Sequence, residues 1–310
     1  MVPLKSVFHW NVLNGPTGFA LFGCVLVFPL LFQRFYRRYK RTARAQQSYI
    51  SESPSINPDT WTDLEFVSKE ILSPDTALYH FKLKDEREVL NIPTGHYIEV
   101  RVVLDGSEKI RHYTPVNPTE NVGRLDLIVK TYVLGQVSKY FTQLKSGDKV
   151  SFKGPMGEFI YEDAKATQMG LVAGGSGITP ILQVLNEYMR HPDSLQKVSL
   201  IYLNETIDDI LWKEELDSMA ERLPQFDVHY VLHYPPSKED STCGGKDWNG
   251  DVGLITKKQM EQYLPESSDD HRLLICGPPA MTNLVLSHAR GLGWNSGMQK
   301  SHGDCKVFVF

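Results

Sequence analysis

Between Leu64 and Phe152 the chain passes through short stretches in which apolar and polar side chains alternate or apolar ones run together. These are Leu64–Val67, Ala77–Leu83, His96–Val103, Leu125–Tyr132 and Lys149–Phe152. Turn-forming groups separate them at Ser73-Pro-Asp, Pro93-Thr-Gly, Asp105-Gly-Ser, Ser146-Gly-Asp and Gly154-Pro-Met-Gly. Many short strands with turns between them predict a closed antiparallel β-barrel, here placed over residues 59–163.

The pattern changes after Met169. Met169–Ala173 reads as a short buried strand, followed by the glycine turn Gly174-Gly-Ser-Gly177 and an amphipathic helix from Ile178 to Met189. Then come a strand at Val198–Leu203, a helix over Ile210–Arg222 and a strand at Phe226–Leu232. A polar loop, a helix at Thr256–Tyr263, a strand at Arg272–Cys276 and a helix from Gly277 to about Gly291 complete the series. Strands alternating with helices predict a parallel α/β sheet covered on both faces, over residues 164–310.

The N-terminus follows neither pattern. From Ser6 to Gln33 no residue is formally charged, and Gly18–Phe32 is almost wholly apolar. That run, extended back to Trp10, reads as a transmembrane helix. The basic cluster Arg34–Arg44 behind it places the C-terminal part in the cytosol. Residues 1–45 are therefore expected to form a membrane anchor with its basic flank, and the polar, proline-bearing residues 46–58 a linker.

Charge sharpens this division. Of 33 basic residues, seven lie in residues 1–51 with no acidic partner, so the remainder sets 26 basic against 37 acidic residues, a net of −11. Such a body is ill suited to nucleic acid. The four cysteines, Cys24, Cys243, Cys276 and Cys305, have neither paired nor metal-type spacing, so no metal site and no disulfide framework are expected.

Three stretches look chemical. Gly174–Gly177, between a strand and a helix N-terminus, suits an anion, because free backbone N–H groups point outward and missing Cβ atoms let a phosphate approach. On these residues alone an ordinary tight turn explains it as well. Arg111-His-Tyr-Thr-Pro115 alternates so that Arg111, Tyr113 and Pro115 share one face and His112 and Thr114 the other. A guanidinium beside a phenol and a hydroxyl suits a phosphate and a flat heterocycle, though a surface Arg–Tyr stack is the plainer alternative. Gly135-Gln-Val-Ser138 opens a second helix, either as a further phosphate site or as plain capping by Ser138. In the second domain the glycine turn, Asn204, His233 and Cys276-Gly-Pro278 all fall at strand carboxyl ends, where ligands of parallel sheets lie.

With Arg-x-Tyr-Thr, Gly-x-x-Ser, Gly-Gly-Ser-Gly-Ile-Thr-Pro and Cys-Gly-Pro-Pro in this order, the chain resembles the ferredoxin-reductase-like flavoproteins. Within them it is most similar to the NADH–cytochrome b5 reductase family, over about Asp63–Phe310. The resemblance implies a six-stranded antiparallel barrel that binds FAD, followed by an α/β domain that binds NADH. By matched position it implies that Arg111 binds the flavin pyrophosphate and Tyr113 packs on the ring system. His112, Thr114, Ile128, Tyr132, Gly135, Gln136, Val137 and Ser138 would complete the flavin cradle. Thr179 would reach the flavin across the domain boundary, and Lys130 would help place NADH. Gly174, Gly175, Ser176 and Gly177 would hold the dinucleotide phosphates, and Cys276, Gly277, Pro278 and Met281 would flank the nicotinamide. Cys276, Lys130 and Thr179 are then the residues nearest the chemistry, with Cys276 packing rather than attacking. His233 stands where animal members carry an acidic residue, which leaves NADPH open beside NADH.

The implied activity is hydride transfer from NADH to FAD and release of single electrons to cytochrome b5, an acidic haem protein. Lys139, Lys145, Lys149 and Lys153 are candidate docking charges for it. The alternative acceptor is a quinone or another redox partner of a membrane-tethered reductase. The implied location is the outer mitochondrial membrane or the endoplasmic reticulum.

Overall fold

The computed structural model describes residues 54–117, 122–161, 166–234, 248–294 and 306–310. The expected anchor and linker up to residue 53, and most of the polar loop after Tyr234, lie outside them. Among the described residues no helix is long and apolar enough to cross a membrane.

Six antiparallel strands come first: β1 (Thr62–Ser73), β2 (Thr76–Lys82), β3 (Tyr97–Leu104), β4 (Ser107–Tyr113), β5 (Arg124–Lys130) and β6 (Lys149–Met156), in the order β4-β3-β6-β1-β2-β5. Period-two burial is plain in β1, where Thr62, Leu64 and Phe66 point in and Asp63 and Glu65 point out. The two end strands meet. Beyond β4, Pro115 bridges Leu127 of β5, and the Val116 N–H donates to the Asp126 carbonyl at 3.0 Å, curling the sheet into a barrel. Its interior is aromatic. Phe81 meets Phe152 at 4.9 Å and Tyr79 meets Phe141 at 5.1 Å between ring centroids, both edge-on, an arrangement that suits ring quadrupoles. Phe141 belongs to α1 (Gln136–Gln143), which plugs one end of the barrel with Val137 and Phe141.

The strand expected to run to Tyr132 ends at Lys130 instead. The Thr131 N–H donates to Asp75 O at 2.7 Å and the Tyr132 N–H to Ser138 Oγ at 3.2 Å, so local partners turn the chain out of the ladder towards α1.

The second sheet is parallel: β7 (Gln168–Gly174), β8 (Lys197–Asn204), β9 (Phe226–Leu232), β10 (Asp251–Val252), β11 (His271–Cys276) and β12 (Val307–Val309), in the order β10-β9-β8-β7-β11-β12. Its central strand β7 is buried along nearly its whole length, as a strand covered on both faces must be. Helices α2 (Ile178–Arg190) and α3 (Lys213–Arg222) cover one face, and α4 (Lys257–Tyr263) and α5 (Pro279–Gly291) the other. After β7 the chain moves to β8 on one side, and β11 returns on the other. The switch point therefore lies between the carboxyl ends of β7 and β11, the place where such sheets bind ligands.

Barrel and sheet are joined at definite points. Gln183 of α2 accepts from the Gly95 N–H at 2.7 Å and donates to Pro115 O at 2.8 Å. Phe159, after the barrel, packs on Phe308 and Phe310 at 5.1 and 5.2 Å. Ile128 of β5, only 3% exposed, joins the core cluster of the sheet domain.

Candidate functional site

Among the described residues two α-helices start behind a glycine, at Gly135 and Gly177; α5 is also uncapped but opens on Pro278-Pro279. The short 3-10 turn Ile207–Asp209 and helix α4 begin with capping boxes, Thr206 with Asp209 and Thr256 with Gln259. Helix α1 begins at Gly135, and α2 follows Gly177. Neither has a side-chain cap or an acidic residue in its first turn. Their leading N–H groups and the positive end of the helix dipole are left for something other than the protein's own side chains. Ser138 does not cap α1. Its hydroxyl donates to Gly135 O at 3.2 Å and accepts from Tyr132 N–H, so it shapes the turn and leaves the amides open.

The glycines divide into two kinds. A Cβ on Gly177 would stand 2.4 Å from Cys276 O, and one on Gly174 would stand 2.4 Å from the Met281 sulfur. Gly277 is equally closed, by the Met281 methyl at 2.6 Å. These three let the turns after β7 and β11 pack on each other at the switch point, with Met281 of α5 as the wedge. Gly175 is different. It sits at φ +53° with no atom within 4 Å of the position its Cβ would take. That open left-handed residue is where a ligand can approach the backbone. The Tyr202 hydroxyl donates to Gly175 O at 3.2 Å and fixes the turn from below.

Asn204, at the carboxyl end of β8, is 6% exposed, and neither polar atom of its amide has a hydrogen-bond partner among the described residues. It lies near the Tyr202 hydroxyl, whose pKa burial raises and Asn204 partly restrains. A buried amide with unfilled donors and acceptors beside an open glycine turn is what a polar dinucleotide would complete.

On the barrel side, Arg111 is exposed. Its Nη1 donates to Ile110 O at 2.7 Å, and it has no carboxylate partner among the described residues. Burial lifts the Tyr113 phenol well above its ordinary pKa, while Arg111 pulls it down and Tyr132 pushes it up, so the three groups are near neighbours. Tyr113 leans on Phe141 at 5.4 Å, tying the Arg111 strand to α1. His112 points elsewhere, stacked on Tyr97 at 4.4 Å. Thr114 is half-buried.

Two expected residues have other engagements. The Lys130 ammonium is held by Asp75 Oδ2 at 2.9 Å and Asp209 Oδ1 at 2.8 Å, so it bridges barrel and sheet domain. The Thr179 hydroxyl donates to Ser176 O at 3.2 Å, within its own turn, although β5 abuts that turn. Cys276 is a half-buried free thiol that burial pushes up to about 12, so it stays protonated at neutral pH. Pro278 is exposed beside it, in the crevice. Sequence reasoning missed Gln183, which carries no local signal, and Asp209, which the Thr206-x-x-Asp209 capping pattern could have flagged.

Both halves of this site match known oxidoreductase modules. Residues 63–161 match the oxidoreductase FAD-binding domain and residues 171–286 the oxidoreductase NAD-binding domain. The chain is 51% identical over 290 residues to the plasma membrane-associated coenzyme Q6 reductase of Saccharomyces cerevisiae, covering 94% of this chain and 86% of that one. It is 35% identical to NADH-cytochrome b5 reductase 1 of Scheffersomyces stipitis, covering 95% of this chain and 98% of the relative. The cytochrome b5 reductase domain of Ulva prolifera nitrate reductase shares the fold with a TM-score of 0.72 at 27% identity, covering 83% of this chain and all of that one.

Proposed function

Since the chain belongs to the NADH–cytochrome b5 reductase family of FAD- and NAD-binding oxidoreductases, we propose that it is a membrane-anchored reductase that draws electrons from NADH and delivers them to cytochrome b5 or to a membrane quinone. The observation that carries the reading is the pairing of two uncapped helix starts with an unpaired arginine on one side and an orphaned amide on the other. Four groups that want an anionic or polar ligand suit two dinucleotides better than one.

Bound here, FAD would supply the chemistry, taking a hydride from the reduced nicotinamide and returning the electrons singly or paired. The chain's own residues position and exclude. Arg111 and the α1 amides at Gln136, Val137 and Ser138 would hold the flavin pyrophosphate, and Tyr113 would present its ring face. The open backbone at Gly175 and Ser176 would take the nicotinamide dinucleotide phosphates, and Asn204 would be placed to hydrogen-bond the same ligand. Cys276, with Gly277, Pro278 and Met281, would form an uncharged, half-buried wall beside the nicotinamide. A neutral thiol there would add no charge of its own to the site. Lys130 acts by holding the two domains in register rather than by touching the nucleotide in this arrangement.

The two acceptors have different support. Relatives about 35% identical are named for cytochrome b5, and Lys139, Lys145 and Lys149 form an exposed basic edge suited to an acidic haem protein. Lys153 drops out of that edge. It is bound to Glu99 at 3.2 Å and lies 5.1 Å from the Trp61 ring centre. The quinone reading is favoured by the 51% identical relative and by exposed apolar residues at Val133 and Leu134. The anchor in residues 1–45 would hold either acceptor's membrane close, in the plasma membrane, endoplasmic reticulum or outer mitochondrial membrane.

An absorbance spectrum of the purified protein, followed by NADH and then NADPH, tests the core of this reading. A flavin spectrum bleached by NADH is expected; a colourless protein after FAD reconstitution would sink it. Steady-state rates with cytochrome b5 and with a short-chain quinone then rank the acceptors.

A further inference from the structure

Gln183 stands where the two domains touch and belongs to neither half of the cofactor crevice. It lies on α2 four residues after Thr179, so on the same face of that helix and one turn further from the glycine turn. Its side chain reaches out of its own domain. The amide oxygen accepts from the Gly95 N–H at 2.7 Å, and the amide nitrogen donates to Pro115 O at 2.8 Å. A primary amide can accept at one end and donate at the other, whereas a carboxylate only accepts and a thioether is at best a weak acceptor. The two partners flank one unit of the barrel. Gly95 comes just before β3 and Pro115 just after β4, and these strands pair with Ile98 opposite Tyr113. Arg111 and Tyr113, the flavin-side residues, therefore lie within four positions of the Pro115 end of the tie.

We propose that Gln183 is a positioning residue for hydride transfer, acting through Gly95 and Pro115 to set how the flavin-side strand β4 stands against the start of α2. The inference rests on the electron flow from NADH to FAD proposed above, and it adds the residue that holds the donor and acceptor halves in register. Both barrel partners are stiff. Gly95 sits at φ +78°, a Cβ on it would stand 2.4 Å from the Phe159 ring, and its turn is closed by the His96 N–H donating to Pro93 O at 3.0 Å. Pro115 has a fixed φ and bridges Leu127 of β5. Hydrogen bonds to such points transmit position, where a loose loop would absorb it. The Lys130 bridge joins the domains elsewhere, from the end of β5 to Asp209, and does not touch the segments around β3 and β4. One amide can matter because transfer is steep in distance: a displacement of about 1 Å costs on the order of 100-fold in rate. Affinity for each dinucleotide depends mainly on contacts within one domain and is far less sensitive to the joint.

The test uses the FAD-loaded full chain and two variants. Gln183→Met keeps the length and loses both bonds; Gln183→Glu keeps the acceptor for Gly95 and turns a second acceptor on Pro115 O. Flavin bleaching at saturating NADH is read by stopped flow, NAD⁺ affinity by equilibrium dialysis, and the Gly95 amide by hydrogen exchange. Both variants are expected to bleach at least about tenfold more slowly, with FAD content and the Kd for NAD⁺ within about twofold of wild type. The Gly95 N–H should lose protection in Gln183→Met and keep it in Gln183→Glu. Bleaching at the wild-type rate in both variants would overturn the positioning role. A slower rate matched by lost FAD, weakened NAD⁺ binding or a collapsed melting transition would make the amide a stability residue alone and overturn it as well. A wild-type flavin that NADH does not bleach would sink the proposed function itself, whatever the variants do.

Discussion

Asn204 shows how a single residue divides its loyalties between stability and binding. Among the described residues its buried amide has no well-formed hydrogen bond, only proximity to the Tyr202 hydroxyl, which costs the folded protein up to about 1–3 kcal/mol in unrecovered solvation. Replacing it with leucine, of similar volume, removes that cost. Asn204→Leu is therefore expected to leave the melting temperature of the nucleotide-free protein unchanged or higher, while raising the KM for NADH about tenfold. A lower melting temperature with an unchanged KM would assign the amide a purely structural role. The sequence places Asn204 at a strand end, hence in the crevice, but cannot reveal that its partners are missing, since that depends on what β9 and the Tyr202 ring leave empty. Cys276 is the converse case. The lack of a neighbouring base was legible in the sequence, and burial in the structure supplies the physical reason its thiol stays neutral.

At the scale of elements, the glycine turn after β7 carries two demands that look identical in the sequence. Gly177 meets the Cys276 carbonyl at a distance no Cβ can occupy, whereas Gly175 faces open space in a left-handed conformation. Gly177→Ala must push the β11 turn aside, so thermal stability is expected to fall by about 2 kcal/mol or more, with Cys276 displaced. Gly175→Ala costs only about 1 kcal/mol of backbone strain, and its main effect should be a raised KM for NADH with FAD retained. Melting curves and NADH kinetics on the two variants separate these roles; equal loss of stability in both would contradict the division. Strand alternation in β1 and the helical run after Ile178 were readable because their partners are local or periodic. The early end of β5 was not, because Asp75 and Ser138 reach Thr131 and Tyr132 from separate elements.

For the whole molecule the deciding contact is the Lys130 bridge, made between residues 79 positions apart and so invisible to any local pattern. The sequence read Lys130 as a nucleotide-placing residue from its resemblance, and the structure engages it between the domains. Burial alone would lower the Lys130 pKa, but the hydrogen bonds its ammonium donates to Asp209 and Asp75 outweigh it and raise the value above the ordinary lysine value. Burial would likewise raise Asp209, but Lys130 and Thr206 hold its carboxyl below the usual range. The signs set the window. The raised lysine contributes stability that is present below about pH 10 and lost as pH rises through its folded value; the depressed carboxylate contributes stability present above about pH 4 and lost as pH falls below it. Domain coupling through this bridge should thus be flat between about pH 5 and 9. Lys130→Met leaves two carboxylates facing each other with no cation between them, and is expected to cost about 1–3 kcal/mol, measured by denaturant unfolding at pH 7. The penalty should shrink as pH falls towards the range where the Asp209 carboxyl takes up a proton. Asp209→Asn at pH 7 should show part of the same loss. If Lys130→Met instead left stability unchanged at every pH and altered only the KM for NADH, the lysine would belong to the nucleotide and not to the joint between the domains.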